Sequence, residues 1–367
     1  MTNQNHDNNQ EAYKPNNKRI FIWALFDFAN TSYSIVVVTF LFAVFFKEVI
    51  AEGKPIGDLY WGSGILISML ISAFISPILG AISDHSAGKK RFLLTFTLLC
   101  IISTALLFFV GRGDILLALF LFVLANIGFE VGLVFYDSFL PEITEEKNYG
   151  RVSGYGYAAG YLGSLATLGL VYPFVKAGMN NITFPISALF FFVFALPIFL
   201  FLKEKRKKIE KKDVYIFIGL KRVADTFRNI KQYKNLAVFL LAFFFYIEGV
   251  NTVIFFSGIY ASSTLNFEMM ELLIFFAIVQ TTAFVGAVVF GIIADAIGQK
   301  KTIVITLLIW IVVITLAYLT SDTENFIMKY LSELFDIKGF ELSKTIFMVI
   351  GGIAGTVMGA TQSTSRS

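Results

Sequence analysis

Charge is scarce in this chain of 367 residues. Only 15% are Asp, Glu, Lys or Arg, against about a quarter in soluble domains, while 56% are hydrophobic and 42 are Phe. In water, such a composition would leave apolar patches far larger than soluble monomers carry, which excludes a soluble globular fold. Cysteine is nearly absent. Cys100 stands alone in an apolar run, so no intrachain disulfide can form and the thiol reads as packed. The two histidines, His6 in a polar tail and His85 in a predicted loop, belong to no ligand pattern, so no metal or other cofactor is expected. The first nineteen residues are Asn-rich and polar, unlike a cleavable signal.

What is present is a series of long apolar runs. A membrane helix needs about 20 apolar residues. Ten runs qualify, at about Phe21–Phe46, Leu59–Ser83, Phe92–Val110, Ile115–Tyr136, Val152–Val175, Phe184–Leu202, Leu236–Tyr260, Glu271–Ala294, Thr302–Leu319 and Thr345–Ser365. The expected fold class is therefore an all-α polytopic membrane protein. With the amino terminus inside, 23 of the 30 Lys and Arg fall in inner segments, Arg366 counted among them. That asymmetry places both termini in the cytoplasm. It also accounts for the net charge of +4 without nucleic acid as a partner.

The long polar stretch 203–235 divides a polar tail (1–20) and six-helix bundle (21–202) from a four-helix bundle (236–367). Its basic start, Lys203 to Lys212, suits anionic lipid. Leu220, Val223, Phe227 and Ile230 follow at helical spacing, as in a helix lying on the inner membrane face. A solvated linker fits the same residues.

Two motifs recur. Gly80-Ala81-Ile82-Ser83-Asp84 with Gly88-Lys89-Lys90-Arg91 follows the second span. Gly291-Ile292-Ile293-Ala294-Asp295 with Gly298-Gln299-Lys300-Lys301 follows the eighth, 211 residues on. In the first span, Asp27 and Asn30 are echoed in the seventh by Glu248 and Asn251, at an offset of 221. The halves are thus related by duplication. Small residues permit a tight turn between spans, and the cations anchor it at headgroups. The acid at the helix end can pair with a cation or a neighbouring helix amino terminus.

This double pattern resembles the signature loops of the major facilitator superfamily, whose transporters pair two six-helix halves. The run Trp23-Ala24-Leu25-Phe26-Asp27-Phe28-Ala29-Asn30-Thr31-Ser32-Tyr33 is more specific. So are Phe135-Tyr136, Phe139-Leu140-Pro141, Gly154 to Tyr161, and Gln362-Ser363-Thr364-Ser365-Arg366-Ser367. Together they resemble the Unknown Major Facilitator group of bacterial permeases, related to the fungal vacuolar amino-acid effluxer of autophagy. The resemblance implies transport of a small solute, plausibly an amino acid, in a bacterial plasma membrane. It also implies twelve spans, so ten visible ones imply a chain lacking the last two, and with them the usual partner of the loop around Asp84.

Carboxylates inside spans are costly, about 2.5 to 3.5 kcal/mol at a helix centre on insertion scales, and so mark function. Asp27 with Asn30, Glu248 with Asn251, and Asn126 with Glu130 each share a helix face. The repeat sets the first and seventh spans across a shared cavity, with Glu130 and Glu248 as proton carriers, though structural roles fit the same positions. Tyr33, Gln280 and Gln362 offer hydrogen bonds to a solute. Asp137 and Glu142 suit gate or loop contacts. Gly156 with Gly160, and Gly351, Gly355 and Gly359, recur every fourth residue, as close helix packing requires. No nucleotide-binding motif and no catalytic set appears. The sequence therefore points to a monomeric, ion-driven secondary transporter rather than an enzyme. The other class it allows is a receptor or scaffold acting through the basic loop.

Overall fold

The computed structural model describes residues 17–86, 88–204, 234–319, 326–335 and 339–366, apart from a few side chains that include those of 84–86. The basic stretch after Glu204 and its proposed surface helix therefore lie outside the described residues.

Among the described residues, ten long helices are apolar enough to cross a membrane. They are α1 (Asn17–Ile50), α2 (Ile56–Ser86), α3 (Lys89–Leu106), α4 (Ile115–Asp137) and α5 (Tyr149–Lys176). After α6 (Thr183–Phe201) come α7 (Lys234–Ser263), α8 (Met269–Ile297), α9 (Gln299–Leu319) and α10 (Gly339–Arg366). A short helix, Phe326–Phe335, precedes α10. The fold is all-α, as the apolar runs predict. Most helices overrun those runs, although α3 stops at Leu106, short of Val110, and α2 continues through Ser86. Asp84 and His85 therefore sit on its last turn rather than in a loop.

Helix α1 is the hub of the amino-terminal half. It packs on α5 and α6, while α4 packs on α2 and α3. Successive helical residues step round the axis by about 100°. The polar run from Asp27 to Tyr33 can therefore address several neighbours at once. The Thr31 hydroxyl donates to the Gly160 carbonyl of α5 at 2.7 Å, and the Ser32 hydroxyl to the Ser187 carbonyl of α6 at 3.1 Å. The Tyr33 hydroxyl donates to Asn126 Oδ1 of α4 at 3.4 Å, and Asn126 Nδ2 to Ser68 Oγ of α2 at 2.8 Å. Beyond Tyr33 the β-branched run Ile35-Val36-Val37-Val38-Thr39 leaves α geometry for a π-helical turn, Ser34–Thr39. Such residues crowd the preceding α-helical turn.

Glycine sets the close crossings. A Cβ at Gly163 would collide with the Phe28 carbonyl of α1, and one at Gly359 with the Ala283 carbonyl of α8. Within the four-residue glycine series, Gly355 and Gly359 allow backbone approach to α8, whereas Gly156 and Gly351 make room for side chains. The halves meet where α5 packs on α8 and α10. The apolar window of α7, by contrast, is only 6% buried, against 56% for that of α1.

Candidate functional site

Trp23 near the start of α1 and Arg366 at the end of α10 meet, so residues 17 and 366 lie at one end of the molecule, here called the terminal end. Arg366 reads from sequence as an inner-loop cation. The structure corrects this: its side chain is 6% exposed and enters the amino-terminal half. Arg366 NH1 donates to Asp27 Oδ2 at 2.7 Å and lies 3.6 Å from Asp137 Oδ1. Its Nε donates to Ser153 Oγ at 3.1 Å, and its NH2 to the Ser153 carbonyl at 2.8 Å. Three rings complete the enclosure, with guanidinium-to-centroid distances of 4.0 Å for Tyr157, 4.7 Å for Trp23 and 5.7 Å for Tyr136.

Local sequence builds this cage. Trp23 Nε1 donates to the Tyr136 carbonyl, and the Tyr136 hydroxyl to the Trp23 carbonyl. Their rings stack at 4.7 Å, 10° from parallel. Two cage walls on two helices thus hold each other. Gly156 leaves the space, because a Cβ there would meet Arg366, Asp27 and Trp23. Asn30 Nδ2 donates to Asp27 Oδ1 at 3.3 Å, which engages the second carboxylate oxygen. Asp137 Oδ1 is buried yet accepts no hydrogen bond. A planar cation between aromatic faces and carboxylates is favoured both electrostatically and by its weak hydration.

The other candidates separate into groups. Asp27, Asn30 and Asp137 belong to the cage. Tyr33 and Asn126 form the relay to Ser68, with Glu130 one turn along α4 from Asn126, half-buried and unbonded among the described residues. Gln362 Oε1 accepts from the Tyr161 hydroxyl at 2.7 Å, bridging α10 and α5. Gln280 Oε1 is buried without a partner. Glu248 stands apart. It is exposed on the sparsely packed α7, with Asn251 half-buried on the next turn, and its side chain joins neither hydrogen bond nor ion pair among the described residues.

The signature loops are asymmetric in what they reach. Asp295 on the last turn of α8 accepts the Arg151 backbone N–H at 3.1 Å and lies 3.8 Å from Arg151 Nε, so it caps the first turn of α5. Gly291 lies against the Gly150 carbonyl and Gly154 beside it, and Gly298 adopts the left-handed φ of 91° that favours glycine. Lys300 and Lys301 are exposed. In the first loop the side chain of Asp84 lies outside the described residues, and Gly80 has open space around it. Gly88 begins α3. Lys89 Nζ donates to Glu142 Oε1 at 3.2 Å and Lys90 Nζ to the Leu202 carbonyl at 2.8 Å, while Arg91 is exposed.

Toward the opposite end, the halves touch through Phe40 of α1 and Phe276 of α8, with ring centroids 5.5 Å apart. The halves are thus joined toward both ends, by an ion pair in a cage at one and by an aromatic contact at the other. Neither closure is apparent from sequence. The available signal for the first was a basic residue ending an otherwise Gly- and Ser-lined apolar helix, which the charge count assigns to a loop.

Similarity to known proteins agrees with this architecture. The family described as vacuole effluxer Atg22 like matches residues 63–150 and 144–367. The chain is 34% identical over 318 residues to an uncharacterized MFS-type transporter, YxiO, of Bacillus subtilis (strain 168), covering 83% of this chain and 74% of that protein. It is 36% identical over 93 residues to autophagy-related protein 22 of Coccidioides immitis (strain RS), covering 25% of this chain and 15% of that protein. The xylose transporter XylE from E. coli, in a partially occluded inward open conformation, superposes with a TM-score of 0.60 at 14% identity, covering 96% of this chain and 91% of that one. The human organic anion transporter MFSD10 gives 0.58 at 15%, with the same coverages. At such identities the structural likeness shows the fold alone.

Proposed function

Because the chain belongs to the vacuole effluxer Atg22-like family of major facilitator transporters, we propose that it moves a small polar solute of amino-acid type by rocking its two bundles about a site between them. The termini face the cytoplasm, in keeping with the cation asymmetry, the cell is bacterial, in keeping with the Bacillus relative, and a proton supplies the driving force. The observation that carries this reading is the buried pair of Arg366 and Asp27. It joins the carboxy-terminal half to the amino-terminal half at one end of the interface, where alternating access needs a contact that can break and re-form.

Further support comes from the polar relay. Tyr33, Asn126 and Ser68 link three helices of the first half, with Glu130 one turn from Asn126. A solute with both donors and acceptors could exchange bonds with such groups. The family's description as a vacuole effluxer agrees in kind with efflux, and one structural neighbour is described as a proton:xylose symporter. Proton coupling is assigned to Glu130 and Glu248, the span carboxylates outside the ion-paired cage.

The test is solute counterflow in proteoliposomes, screened across labelled amino acids with and without an imposed pH gradient. Accumulation of at least one amino acid, driven by the gradient, is expected. Gradient-driven flux unchanged in both Glu130→Gln and Glu248→Gln would remove proton coupling through these acids.

A further inference from the structure

In this structure Arg366 acts as a ligand as well as a structural residue. Among the described residues, every bond, ion pair and ring contact of its guanidinium goes to the amino-terminal half: Trp23 and Asp27 on α1, Tyr136 and Asp137 on α4, Ser153 and Tyr157 on α5. The cation comes from the other half. One half thus carries a complete receptor for a planar cation, and the other half fills it.

That arrangement sets a condition on the open state. Withdrawing one partner of a buried ion pair leaves the other uncompensated. Two carboxylates, three ring faces and a carbonyl would be left facing the terminal end. Water can solvate the acids, but it does not match the rings, and a compact, strongly hydrated ion does not either. A guanidinium matches both. Asp137 Oδ1, buried and accepting no hydrogen bond at 3.6 Å from Arg366, retains acceptor capacity that a closer cation would use.

We infer that the cage of Trp23, Asp27, Tyr136, Asp137, Ser153 and Tyr157 is a binding site for a guanidinium-bearing solute, held by Arg366 when the terminal end is closed and yielded to the solute when the halves part. The inference rests on the rocking motion proposed above. It adds that the solute, or a co-ligand entering with it, competes with an internal mimic of its own cationic group. The two glycine crossings beside the cage make opening there a rigid-body step. Gly291 of α8 lies against Gly150 and Gly154 of α5, so separation at that contact withdraws α10 and Arg366 together.

The test is binding of labelled methylguanidinium to the chain in lipid nanodiscs. Two variants expose the site by different routes. R366A empties the cage. Gly291→Trp leaves every cage residue unsubstituted and wedges α5 from α8. Both should bind one methylguanidinium per chain at least tenfold more tightly than wild type, with methylammonium and potassium competing at least tenfold less well. Asp27→Asn added to either should abolish the binding. Equal binding in wild type and both variants, indifference to Asp27→Asn, or equal competition by methylammonium would overturn the assignment. If R366A does not fold, Gly291→Trp alone decides. Binding with no amino-acid flux in wild-type proteoliposomes would remove the transport reading and keep the site. Flux with no binding in either variant would do the reverse.

Discussion

At the two ends of their interface the halves are joined by opposite kinds of chemistry. At the terminal end a guanidinium is held by directional bonds, 2.7 Å to Asp27 and 2.8 Å to the Ser153 carbonyl. At the other end Phe40 and Phe276 meet as tilted rings 5.5 Å apart, with no direction to satisfy. A charged latch is costly to half-open, because an unpaired buried ion is left behind. An aromatic contact loses its energy gradually, each atom pair contributing little. The terminal end should therefore switch between two discrete states, and the far end should loosen by degrees.

The largest effect that would break this contrast comes from Asp27→Asn. Leaving Arg366 buried without its carboxylate should cost about 3–5 kcal/mol of closure. Distances between spin labels on Glu146 and Lys301 should then change from one narrow population to a predominantly longer one; an unchanged distribution would mean that the latch is ornamental. Phe40→Leu removes the ring partner but keeps apolar bulk, a loss of about 1 kcal/mol. Labels on Leu59 and Asn266 should report a broadened distribution rather than a second discrete distance.

Asp295→Asn takes the charge from the amino-terminal turn of α5, worth about 0.3–1 kcal/mol. Amide exchange at Gly150 and Arg151 should quicken severalfold while the cage stays intact. The smallest effect lies in the loops of the non-terminal end. Hydrogen bonds from Lys54 and Arg112 hold the exposed Glu52 carboxyl below the ordinary glutamate range. A depressed acid stabilises the fold above its unfolded pKa, and this contribution is lost as pH falls through the folded value. The clasp should therefore be intact at neutral pH and open in acid, read by exchange at Gly53 and Gly113. Opening on raising the pH would contradict it.

The fold was largely legible in the sequence because its signals were local. Apolar runs of membrane length give helices whatever their neighbours, and the Asp84 and Asp295 motifs announce a duplication before any contact is known. Asp27 was legible as important for a general reason, the cost of a carboxylate in a span. Its partner was not, since the pairing joins residues 339 apart in sequence and depends on how α10 crosses α5. Charge counting placed Arg366 in a loop because helix ends and loops carry the same cations. The pairing of Asp27 with Glu248 across a cavity rested on symmetry, and the two halves are packed too unequally for symmetry to place α7. Trp23, Tyr136 and Tyr157 stand in three separate motifs of the sequence; only the guanidinium between them makes them a set.

The π-helical turn at Ser34–Thr39 lies between the two closures on a single helix, with Asp27 on one side of it and Phe40, at φ −132° and ψ −81°, on the other. A π turn accommodates about one residue more than an α turn, so relaxing it to α geometry would rotate everything beyond by about 100°. Phe40 would swing off Phe276 while Asp27 kept its orientation. On one helix, this irregular turn thus sets apart the residue that meets Arg366 from the residue that meets Phe276.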